Sequence, residues 1–141
     1  MNDLYNSVLW KRGLSPVSDA DNTALTTQIL DTKGFAGAFL LLLTGSIADA
    51  DATFAVTLAE SDASNMSGSN AVDSSKVVGG TLTAAGFQFD DDNEIRKLLV
   101  MSTKRYIQAT ITPTGNASAA LVAGAWGLVD PKYAAVTQAD A

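Results

Sequence analysis

The 141-residue chain contains neither cysteine nor histidine. Without cysteine there is no disulfide, no thiol nucleophile and no thiolate metal site. Without histidine the commonest general base and the commonest transition-metal ligand are both missing. Charged residues make up only 17% of the chain and the net charge is −6. An acidic chain lacks the concentrated basic footprint that phosphate binding requires. The cations come as separated pairs, Lys11-Arg12, Arg96-Lys97 and Lys104-Arg105. No nucleic-acid partner is expected.

A membrane-spanning run is lacking too. From Gly34 to Ala48 the chain is uncharged, and Phe39 to Leu43 is an unbroken apolar run. A bilayer-crossing helix needs roughly 18 or more predominantly apolar residues. This run is shorter, carries Gly34, Gly37 and Gly45, and closes on Thr44-Gly45-Ser46. No basic region or small-residue cleavage site precedes it, so it does not read as a signal peptide either. No membrane partner is expected, and the run reads as a strand covered on both faces.

What is present is period-two alternation. Thr23 to Leu30 reads as one strand, Ala36 to Leu43 as the apolar one, and "TFAVTLAE" as a third with Phe54, Val56 and Leu58 on one face. The acidic turn Ala48 to Asp51 joins the last two into a hairpin-like pair. Ser61 to Ser75 is a polar loop of a length often tied to function or mobility. Short strands are expected at Val77-Val78, Thr81 to Thr83 and Phe87 to Phe89, and others within "EIRKLLVMS", "RYIQATITPTG" and "SAALVAGAWGLVD". Pro113 belongs at a strand end or edge. Seven or eight short strands and no long helical pattern predict an all-β fold, an antiparallel β-sandwich or jelly roll. The expected organisation is an N-terminal arm at 1–16, extended or a short helical turn, then the sandwich at 17–130 and a tail at 131–141.

Candidate chemistry is thin. Asp90-Asp91-Asp92-Asn93-Glu94 is the densest carboxylate run, but it lacks the alternating ligand spacing of a calcium loop and reads as a solvated turn. Asp49-Ala50-Asp51 likewise fits a turn. A paired-carboxylate hydrolase is the one enzyme class the composition permits, with Glu60 and Asp62 as the best pair, yet no aromatic platform accompanies them. Serines and threonines lack a base. No enzyme activity, cofactor or metal is expected. Trp126, flanked by Gly124-Ala125 and Gly127-Leu128, reads as a core residue. Tyr5, Trp10, Lys11 and Arg12 in the arm, with Phe39, Leu40, Leu41 and Leu42 in the apolar strand, are the interface candidates, since aromatics and Arg anchor protein contacts.

Gly34-Phe35, Gly45, Glu60-Ser61-Asp62, Lys104-Arg105-Tyr106 and Thr114-Gly115 stand in an order that resembles the small capsid cement (decoration) proteins of tailed bacteriophages. The resemblance runs from about Asp31 to Leu128 and rests on short structural motifs that carry no chemistry. It implies a jelly roll made in the host cytoplasm that binds the exterior of the virion capsid. Its partners would be the major capsid protein and a second copy of itself in a homodimer. The tail Lys132 to Ala141 departs from the pattern. Two other classes fit the same sandwich: a head–tail connector or tail component, and a carbohydrate-binding module, which would need an exposed aromatic platform.

Overall fold

A computed structural model of the chain describes residues 5–78 and 81–131, with backbone only for 130 and 131. Two antiparallel sheets pack face to face. The strands are β1 (Val8–Asp19), β2 (Leu25–Thr26), β3 (Leu30–Asp31), β4 (Phe35–Ile47), β5 (Thr53–Ser61), β6 (Asn70–Ala71), β7 (Val77–Val78), β8 (Phe87–Gln88), β9 (Ile95–Val100), β10 (Tyr106–Thr114) and β11 (Ala120–Pro131). Single 3-10 turns at Ser74–Lys76 and Thr83–Ala85 are the only helices among the described residues. No helix there is long and apolar enough to cross a membrane.

One sheet runs β1-β11-β4-β9-β7 and the other β2-β10-β5-β6, with β3 joining β10 beside β2 and β8 joining β5 beside β6. If β2 with β3 and β6 with β8 are each taken as one position, both sheets follow jelly-roll order, and the first and last strands are neighbours. The inward faces fit the sequence alternation. Leu40 and Leu42 of β4, Phe54, Val56 and Leu58 of β5, Leu98 and Val100 of β9, Ile107, Ala109 and Ile111 of β10, and Trp126 of β11 fill the space between the sheets. Phe54 and Phe87 stack with ring centroids 4.7 Å apart. Pro113 sits one residue from the end of β10, opposite Phe54.

Four expectations are corrected. The described part of the N-terminal arm is an edge strand: β1 pairs with β11 from Val8↔Val129 to Asp19↔Ala120, and Leu9 and Leu14 pack on the core. Register shifts between Arg12 and Leu14 and between Leu14 and Val17 break its period-two signal, so it reads as irregular in sequence. β4 and β5 do not form a hairpin. Each belongs to a different sheet, and the turn between them crosses the sandwich, held by Asp49 Oδ2 accepting from Ala117 N at 2.8 Å. Here Gly115 (φ 71°) approaches so closely that a Cβ would lie 2.9 Å from the Asp51 carbonyl oxygen. Thr23 to Leu30 is not one strand, because buried Thr27 breaks it: Thr27 Oγ1 accepts from Ala109 N at 3.0 Å, and Gln28 N donates to Gly13 O at 2.8 Å. Thr81 to Thr83 is no strand, since the 3-10 turn begins at Thr83.

Candidate docking face

The outward faces of the two sheets differ in kind. On the sheet built around β5 and β10, Thr53, Ala55, Thr57, Thr110, Thr112 and Thr114 alternate outward, giving a small, hydroxyl-bearing surface. On the other sheet the outward positions are mostly apolar. β4 presents Phe39, Leu41 and Leu43, and β9 presents Ile95, Lys97 and Leu99. β11 contributes Leu121, Ala123, Ala125 and Gly127 between them and β1.

Cross-strand register orders these side chains into rows. One row is Trp10↔Gly127↔Phe39↔Leu99↔Val78, crossing all five strands without a polar residue. The next is Arg12↔Ala125↔Leu41↔Lys97. A third runs Ala123↔Leu43↔Ile95. The small residues of β11 make a shallow trough walled by Trp10, Arg12 and Pro16 on one side and Leu43 on the other. Glycines are covered by their neighbours: Met101 closes over Gly37 and Leu121 over Gly45. Ile95 is 62% exposed, and Trp10, Leu43, Val78, Met101 and Leu121 each remain more than two-fifths exposed. At strand spacings of ~4.8 Å and ~3.3 Å per residue the face covers on the order of 500 Å², the scale of the largest apolar patch on a monomer, which is often functional.

The sequence-predicted interface residues divide by side. Trp10, Arg12, Phe39 and Leu41 share this outer face. Leu40 and Leu42 do not: they point inward, at 1% and 0% exposure, and are core residues unavailable to a partner. Strand alternation separates them from their neighbours. Lys11 lies half-buried on the inward side opposite Trp126, and Tyr5 stands exposed in the turn before β1. Sequence reasoning missed Leu43, Ile95, Leu99, Leu121 and Lys97. The signal was present, since β9 and β11 lose alternation just as β4 does, through "IRKLLV" and "LVAGAWGLV".

The face carries cations and no acids. None of its outward strand positions from Val8 to Val129 is acidic. Four cations elsewhere hold carboxylates. Lys76 pairs with Glu60 at 2.5 Å, Arg96 with Asp91 at 2.6 Å and with Glu94, Lys104 with Asp62, and Arg105 with Asp31 at 2.7 Å. Neither Arg12 nor Lys97 has an ion-pair partner among the described residues. With the Gln28 amide turned to the orientation that satisfies both of its ends, its oxygen accepts from the Arg12 guanidinium and its nitrogen donates to Arg12 O at 3.3 Å.

The carboxylate candidates are structural. Glu60 is buried between Lys76 and the donating Ser102 hydroxyl, while Asp62 is held by Lys104, whose pKa this contact raises. In the acidic run, Asp91 Oδ2 accepts from Gln88 N at 2.9 Å and Asp92 Oδ1 from Ile47 N at 2.8 Å. Hydrogen bonding to Asp91, then the nearby charges of Asp91 and Glu94, raise the Arg96 pKa. The run is a turn that ties β9 to the end of β4.

No family model matches the chain, and no curated protein matches it. Among solved structures, the crystal structure of the PBSX exported protein XepA is similar, with a TM-score of 0.58 at 12% identity. The match covers 94% of this chain and 41% of that one, so the chain spans about two-fifths of XepA's length. At this identity the likeness is one of fold.

Proposed function

We propose that this chain is a structural protein of a phage virion: a capsid cement protein that binds the outside of the shell and stabilises it by bridging capsomers. The outer face of the β1-β11-β4-β9-β7 sheet carries this reading, because a jelly roll closed around its own core has no internal use for a second apolar surface. The sequence motifs resemble those of tailed-phage cement proteins, and the fold is similar to that of the PBSX exported protein XepA. In this reading the major capsid protein is the partner, a second copy completes a homodimer, and the protein works by burying area rather than by chemistry. Burial of some hundreds of Å² per partner is the scale of stable association.

The test uses the purified chain and empty shells of the major capsid protein encoded with it. Co-sedimentation with the shells and a higher shell melting temperature are expected. Shells that neither bind the protein nor melt later in its presence overturn the proposal.

A further inference from the structure

Resting on the cement reading, we infer that the β1-β11-β4-β9-β7 face is the surface laid against the shell, and that the shell presents carboxylates opposite Arg12 and Lys97. Charge complementarity carries this. The two cations share one row across β1, β11, β4 and β9, three strand steps apart, or ~14 Å. They bracket Ala125 and Leu41 on a face with no outward acid, in a chain of net charge −6 whose cations Lys76, Arg96, Lys104 and Arg105 are neutralised internally. Leaving two cations without counter-charges on an apolar surface is unfavourable once that surface is desolvated. A partner's carboxylates restore the balance, fix the register of docking and speed encounter.

The same row argues against a second copy as the occupant. A two-fold axis at the middle of the row sets Arg12 of one copy against Lys97 of the other, and their mirror contact repeats it. Like charges placed opposite each other in a buried contact disfavour that pairing. Self-association uses other surfaces.

Three variants test this by shell co-sedimentation, each checked for native thermal unfolding. Arg12→Glu with Lys97→Glu reverses the row, Leu43→Ser with Ile95→Ser removes exposed apolar area, and Thr57→Lys with Thr112→Lys alters the opposite sheet. Binding at least about tenfold weaker is expected for the first two pairs, and binding like the parent for the third. Parent binding should also weaken as salt rises from about 50 mM to about 500 mM. If the first two pairs bind undiminished and the third fails, the face is wrong while the cement reading stands. If the parent itself does not sediment with shells, the cement reading and the shell as occupant fall together. A stable parent dimer that Leu43→Ser with Ile95→Ser converts to monomer assigns the face to a second copy and overturns the inference.

Discussion

The indole of Trp10 covers Gly127: a Cβ on that glycine would meet Trp10 Cζ3 at 2.9 Å and Val8 Cγ1 at 3.1 Å. The pair joins the edge strand to β11 through side-chain packing as well as the backbone ladder. Gly127→Val should displace the indole and lower stability by about 1–3 kcal/mol, the usual cost of overpacking. Trp126 is fully buried, so the exposed-indole component of the emission reports Trp10 alone. That component should shift in the variant while the buried component holds. An unshifted emission with parental stability would mean that the contact does not form in solution.

Removing residues 1–12 takes away the first half of β1 and bares one side of β11. Trp126 lies opposite Lys11, and Leu9 packs on the core. The truncated chain should therefore unfold at markedly lower urea, or fail to fold, rather than remain an intact domain that lacks only an arm. Chemical denaturation followed by far-ultraviolet circular dichroism decides it, and an unchanged midpoint would restore the arm.

Asp31 and Arg105 form a two-point contact: Nε donates to Oδ1 at 2.9 Å and Nη2 to Oδ2 at 2.7 Å. Hydrogen bonding from Arg105 is the main cause that lowers the Asp31 pKa, with the Lys33 backbone N–H helping. A carboxylate with a folded pKa below its unfolded value stabilises the fold at pH above the unfolded pKa. That contribution is lost as pH falls through the folded value. Both side chains are nearly half exposed, so solvent screening holds the effect to about 0–1 kcal/mol. Asp31→Asn should lose that much at neutral pH and show a shallower decline in stability on acidification. Parallel acid limbs for variant and parent would rule the contribution out.

Lys76→Met leaves Glu60 buried with Ser102 as its remaining side-chain donor. Lys76 is itself partly exposed, so the loss should be about 2 kcal/mol, below that of a fully buried pair. Adding Glu60→Leu should recover most of it, because the orphaned charge is what costs. Urea midpoints of the single and double variants test this; a double variant weaker than the single one contradicts it.

The sandwich was legible wherever alternation was clean. β5 and β10 each bury one face and expose small or threonine residues on the other, so Phe54, Val56, Leu58, Ile107 and Ile111 declare their side in the sequence. β1 was not legible, since its two register shifts reset the period and Pro16 resembles a turn. Sheet membership of β4 and β5 was hidden because a short acidic turn serves a hairpin and a crossing between sheets equally well. The docking face was half visible. Lost alternation in β4 flagged it, but which of Phe39 to Leu42 point outward depends on register, and register is fixed by β9 and β11 far along the chain.

The position of β11 between β1 and β4 has a consequence for synthesis. A nascent chain emerging from the ribosome holds β1 and β4 long before the strand that joins them exists. Until Ala120–Pro131 is released, the apolar β4 has an open edge toward its missing neighbour, and Val8 waits for Val129. Contacts of such long sequence separation form late, and unpaired apolar edges aggregate while they wait. Folding of this sheet therefore waits for β11, and the yield of native protein is set in the interval between β4 leaving the ribosome and β11 closing the gap.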